Sequence, residues 1–218
     1  NGVIGEAPAM MALLSSMPTP TQAQIADGIG RILTAAARRG VTSLREAATG
    51  TLGGVGELAL LHQLNGSNRL PVRVSTAQFA VMPGKTPAEV AAAWSAAGVT
   101  PFSGDEMVRA DAWKVVTDGS NQGRSGYFFQ PYLGEQSGGR ANWTPEGLRD
   151  ALGAGLRDGW QVMVHTNGDA AVEFALTAME ELLPHHPAGD LRHRFEHVSF
   201  STDDQLTRMA AAGISPSF

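Results

Sequence analysis

The sequence predicts an α/β protein built on a parallel sheet. Three observations carry that expectation. Short apolar runs alternate with helical segments about six times along the chain. Helix starts are marked by capping residues, several followed directly by Pro. Apolar residues make up 43% of the 218 residues and mean hydropathy is −0.09, so a sizeable core can form and a disordered chain is excluded. Strands separated by helices pair in parallel through right-handed crossovers. Two architectures satisfy that pattern, an open doubly wound sheet and a (β/α) barrel.

The elements follow in order. Thr21-x-x-Gln24 is a capping box, and a helix runs from it to Arg39, closed by Gly40. Residues 41–45 read as a strand, 52–64 as a helix and 70–76 as the next strand. Thr86-Pro87-Ala88-Glu89 opens a helix reaching about Ala97. Residues 112–116 are strand-like, and a Gly-rich stretch from Asp118 to Asn142 follows without periodicity. That stretch is too long for a simple connection, and loops of such length often carry function. Thr144-Pro145-Glu146 opens another helix, 160–165 form a strand, and 170–183 form a helix. Residues 192–198 are the next strand, 202–212 the next helix, and 213–217 a last strand-like piece.

Composition excludes several classes. No run approaches the ~18 apolar residues of a membrane helix. Asn1–Glu6 carries no basic segment or signal-peptide core, so the cytoplasm is the expected compartment. Net charge is −5, which disfavours nucleic acid or an anionic membrane as partner. Cysteine is absent, so a metal would have to be held by His, carboxylate or modified Lys. No G-x-G-x-x-G follows the first strand and no Walker loop occurs, which disfavours nucleotide binding.

Only two lysines occur, and they differ in setting. Lys85 lies in the turn Pro83–Pro87 and is expected to be solvated. Lys114 lies inside an apolar strand, where desolvation favours a neutral amine able to form a carbamate with carbon dioxide. The plainer reading is a salt-bridged or snorkelling lysine. His165 ends the run Val162–Val164, where parallel α/β folds place their active sites. It reads as a metal ligand or base, or as a histidine that merely caps its strand. His197 ends the next strand. Alternation groups it with Phe195 and places Arg194 and Glu196 on the opposite face, under the helices. His193 lies deeper or outside the strand, the His185-His186 loop is expected to be solvated, and His62 falls in a helix. Lys114, His165 and His197 thus stand at consecutive strand ends, the donor types that Zn²⁺ or a similar ion requires.

The string Gly40–Leu44, Trp113-Lys114-Val115 with Asp118-Gly119-Ser120, Gly159–Val162 leading to His165 with Gly168-Asp169-Ala170, and Arg192–His197 resembles the amidohydrolase superfamily. It looks most like the branch of YtcJ-like proteins and N-substituted formamide deformylase. The resemblance implies a metal-dependent hydrolase with a distorted (β/α)₈ TIM barrel, of which residues 1–218 form a partial catalytic domain, about strands 2–7. It implies one or two divalent metals, zinc foremost, held by Lys114 as a carbamate and by His165 and His197. The family's strand-one His-x-His, its strand-eight aspartate and its β-sandwich are not in this sequence. The chain, which does not begin with Met, is therefore expected to be an internal segment needing the rest of its polypeptide.

The activity so implied is hydrolysis of a carbon–nitrogen bond in a small non-peptide amide, formamide or cyclic amide by a metal-activated water. Asp118 and Asp169 are expected to support the site, Asp169 by capping the helix after His165. Arg124 and Tyr127 in the long loop are expected to contact substrate, with Phe128 and Phe129 forming an apolar wall. The partners expected are a small-molecule amide and the remainder of the chain, and a homo-oligomer is compatible with the sequence. Two alternatives stay open: a non-catalytic barrel fragment without metal, and a metal-free α/β enzyme using His165 as base with Asp118.

Overall fold

Helix α1 (Gln22–Ala37) starts where its capping box places it: the Thr21 hydroxyl accepts from the Gln24 N–H, and the Gln24 side chain accepts from the Thr21 N–H. The computed structural model describes residues 12–186 and 189–218. Asn1–Glu6, read above for a leader, and Pro187 beside the His185-His186 loop lie outside them. After α1 come β1 (Ser43–Thr49), α2 (Gly56–Gly66), β2 (Arg73–Phe79), α3 (Pro87–Ala96), β3 (Val108–Val116) and α4 (Pro145–Arg157). They are followed by β4 (Gln161–Thr166), α5 (Asp169–Leu182), β5 (Arg194–His197), α6 (Asp203–Ala211) and β6 (Ser215–Ser217).

The strands form one parallel sheet in the order β1-β2-β3-β4-β5-β6. Each strand pairs only with its neighbours in sequence. A doubly wound sheet needs a reversal of strand order, so that alternative is excluded. The sheet is a curled half-barrel, an incomplete TIM barrel with the helices on its outer side. Among the described residues no helix is long and apolar enough to cross a membrane.

Some boundaries differ from the sequence reading. β1 and β2 extend further toward their C-terminal ends because polar residues such as Arg45 and Glu46 occupy the pleat. Helix α2 begins at Gly56, since the amides of Gly50, Leu52 and Gly53 all donate to the Glu57 carboxylate and hold that stretch as a loop.

The core lies between the sheet and the helices. Val74, Trp113, Val115, Val162, Val164 and Phe195 point into it. Helix α4 crosses β3 at a contact only glycine permits: a Cβ on Gly155 would overlap the Trp113 ring. The Trp113 indole then donates to the Ala151 carbonyl at 2.8 Å. Residues of opposite parity face the concave side. There Ala77, Ala112 and Met163 make a small apolar cluster, and Arg45 pairs with Asp111 at 2.9 Å.

Candidate metal centre

Parity places Lys114 on the concave face, because Trp113 and Val115 fill the helix-side core. Its register partners are Phe79 and Met163, while His165 sits opposite Val116 and Glu196, so the lysine lies two residues deeper than the imidazole. Lys114 is only 5% exposed. Burial lowers its pKa to about 8, a shift the Glu196 carboxylate opposes and the Arg194 guanidinium reinforces. A substantial fraction of the amine is therefore neutral near pH 8.

Burial is also the main influence on His165, lowering its pKa to about 4 against the Gly119 carbonyl and with help from Lys114 and His197. The ring is neutral at pH 7. Its Nε2 faces two oxygens, the Gly119 carbonyl at 3.2 Å and Asp118 Oδ1 at 3.4 Å, beside the Asn167 amide nitrogen at 3.1 Å, which itself donates to the Gly119 carbonyl. Two oxygen neighbours favour a proton on Nε2, which leaves the Nδ1 lone pair as a free donor.

His197 reaches the site by a route that alternation does not describe. Phe195 lies in the helix-side core, so strict pleating would send His197 there too. The backbone instead turns left-handed at His197 (φ 75°) and Val198 (φ 37°). Val198 drops into the core, and the exposed His197 ring packs edge-on against His165 with centroids 4.6 Å apart. Left-handed backbone at a non-glycine residue costs about 1–3 kcal/mol and is concentrated at functional sites. The expected placement of Arg194 and Glu196 under the helices is wrong for the same reason. With Phe195 outward, both face the concave side and pair there at 2.9 Å, beside Lys114. His193 is structural, its Nδ1 accepting from the Val162 N–H at 3.0 Å.

The loop between β3 and α4 folds over the strand ends. Fully buried Asp118 organises it, accepting from the amides of Tyr127, Asn167 and Gly168 at 2.9–3.2 Å. Burial pushes its carboxyl up, against those three amides and His197. Asp169 is the first residue of α5, with Gly168 at the cap position, so it does not cap the helix as expected. Its Oδ1 accepts from Phe129 N at 3.0 Å and Ala170 N at 2.8 Å, tying loop to helix.

The two residues expected to contact substrate sit in the long loop and at its outer side. Arg124, 58% exposed, forms an ion pair with Glu135 within the loop. Tyr127 and Phe129 line an outer cleft of about 330 Å³ against α4 and α5, because the Tyr127 backbone is held between Asp118 and Ala171. Phe128 packs on Tyr132 and Phe200 at 5.2 and 5.1 Å. Two residues that the sequence did not single out, Asn167 and Ser199, join the site. Asn167 donates to the Gly119 carbonyl at 2.8 Å, and Ser199 donates to Asn167 Oδ1 at 3.1 Å. Only their meeting in space marks them.

Two imidazoles, one with its Nδ1 lone pair free, and a desolvated amine fit a divalent cation as a partial donor set. An ammonium donates no lone pair, so Lys114 counts only once carboxylated. Among the described residues no three His, Asp or Glu side chains gather into a metal-sized group.

The fold has relatives among solved structures. An uncharacterized metal-dependent hydrolase from Pyrococcus horikoshii OT3 matches with a TM-score of 0.75 at 21% identity, over 96% of this chain and 39% of that one. One from Pyrococcus furiosus matches with a TM-score of 0.74 at 21% identity, over 96% and 40%. Ochratoxinase from A. niger matches with a TM-score of 0.53 at 17% identity, over 93% and 46%. The chain thus spans less than half the length of these three structures. A comparison with curated protein sequences gives no match. The amidohydrolase family model matches residues 1–218, and the chain belongs to that family.

Proposed function

We propose that this chain is the metal-binding middle of a hydrolase that cleaves a carbon–nitrogen bond in a small non-peptide amide. The observation that carries the reading is the meeting of His165 and His197, centroids 4.6 Å apart, on the concave face that also buries Lys114. These three side chains would hold one or two divalent ions, zinc foremost, with Lys114 as a carbamate. Such an ion supplies a water whose pKa falls toward neutrality and polarises the substrate carbonyl.

The chain's own residues do the rest. Burial keeps His165 neutral and Lys114 partly neutral, the forms that coordination and carbamate formation need. Asp118 fixes the loop whose Gly119 carbonyl orients the His165 ring. The family resemblance assigns proton transfer to an aspartate outside these 218 residues, so the remainder of the polypeptide is a required partner. The motifs favour the YtcJ-like and formamide deformylase branch, hence a formamide or cyclic amide as substrate.

A metal-free enzyme using His165 as base with Asp118 has the 3.4 Å contact in its favour. A base works best with a pKa near the operating pH, and about 4 is too low for that at pH 7. Metal analysis of the complete polypeptide decides between the two. Zinc, iron or manganese in stoichiometric amount, lost in His165→Ala, supports the hydrolase. Loading that depends on carbon dioxide and disappears in Lys114→Ala supports the carbamate. A complete polypeptide that takes up no metal sinks the proposal.

A further inference from the structure

We propose that Asn167 is a positioning residue that fixes the ring of His165 through the Gly119 carbonyl. This inference rests on the reading of His165 as a metal ligand, and it concerns how that ligand is aimed.

The geometry is specific. Asn167 is 8% exposed and follows the strand end by one residue. Its Nδ2 donates to the Gly119 carbonyl at 2.8 Å and lies 3.1 Å from His165 Nε2. The same carbonyl lies 3.2 Å from His165 Nε2. One oxygen therefore receives both the amide and the imidazole. The amide orientation is determined, since reversing it would set Oδ1 against the Gly119 oxygen, two acceptors in contact. Oδ1 instead accepts from Ser199 in the segment after β5 and from Asn121 Nδ2 at 3.4 Å in the long loop. The Asn167 backbone N–H donates to Asp118.

One side chain thus spans three consecutive strand ends. It holds the Gly119 carbonyl 3.2 Å from His165 Nε2, where an Nε2–H ring bonds to that oxygen and keeps its Nδ1 lone pair free as the donor. Without the amide, Gly119 loses its shorter side-chain partner and the ring can turn over or change tautomer. Partners of this kind typically contribute 10–100-fold to metal affinity.

The test uses the complete polypeptide and two readouts. Nitrogen-15 spectra of the metal-free protein report the His165 tautomer, and calorimetry reports zinc affinity. The wild type is expected to show a single Nε2–H form. Asn167→Ala should show mixed tautomers and a zinc affinity reduced by about 10–100-fold, and Ser199→Ala a smaller change in the same direction. A purely structural asparagine would lower the thermal midpoint and leave both readouts as in the wild type; that result in a folded variant overturns the inference. If Asn167→Ala does not fold, Ser199→Ala decides on the same criteria. A wild type that binds no zinc defeats the metal reading, and the tautomer still decides the role of Asn167.

Discussion

The two faces of this sheet are built from alternate residues of the same strands, yet they behave as different materials. The helix side is close to wholly apolar, with Trp113, Val162, Val164 and Phe195 at 0% exposure. The concave side carries Arg45, Asp111, Lys114, His165, Arg194 and Glu196. Burial stabilises the fold on one face. On the other it works against charged groups and shifts their titration instead. The helix side accounts for the existence of the sheet, and the concave side for its chemistry.

That contrast can be broken most forcefully on the helix side. Trp113→Ala removes a large buried ring and the side-chain donor to the Ala151 carbonyl. The expected loss is about 3–5 kcal/mol, read by denaturant unfolding of the complete polypeptide. A loss below ~1 kcal/mol would mean that this interface does not hold the sheet.

Acid should act next, through the concave side. The folded pKa of His165, about 4, lies below its ordinary value of 6.5, so the unfolded chain binds the proton first. Stability is complete above pH 6.5 and falls as pH drops toward 4. Asp118, which faces the ring, has its carboxyl pushed up by burial, so its own proton uptake favours the folded state and opposes this slope at the acid end of the window. Complete replacement of this shift is worth about 3 kcal/mol. His165→Asn should flatten the dependence in this window, apart from the part due to His193, which burial shifts the same way. An unchanged acid slope in His165→Asn would show that other groups carry it.

A smaller effect sharpens the contrast. Lys114→Met replaces a desolvated amine by an apolar chain of similar length, and Arg194 still neutralises Glu196. Metal-free stability should rise by about 1 kcal/mol while zinc capacity disappears. A variant that loses stability and keeps its zinc would place Lys114 among the structural residues. The smallest change is expected at the loop surface. Arg124→Ala breaks an exposed pair with Glu135 and should alter KM by less than about twofold.

Much of this was legible in advance. The capping patterns at Thr21, Thr86 and Thr144 act within four residues, so the helices began where the sequence placed them. Lys114 could be read as desolvated because a lone charge in an apolar strand has few ways to reach water. Arg194 and Glu196 were misread, since pleat parity was counted back from His197, the residue at which the backbone leaves the strand. The surroundings of Arg124 and Tyr127 were not legible, because an aperiodic loop carries no pattern that tells which way its side chains point.

Local rules in the sequence therefore determined which segments are helix and strand, that the sheet is parallel, and which side chains end up near the strand ends. The tertiary structure alone decided the strand order that excludes a doubly wound sheet, the left-handed turn that brings His197 to His165, and the meeting of Asn167, Ser199 and Gly119. The reason is range. Capping and pleating act between near neighbours in the chain, whereas Asn167 and Gly119 are 48 residues apart and meet only when adjacent strands curl together.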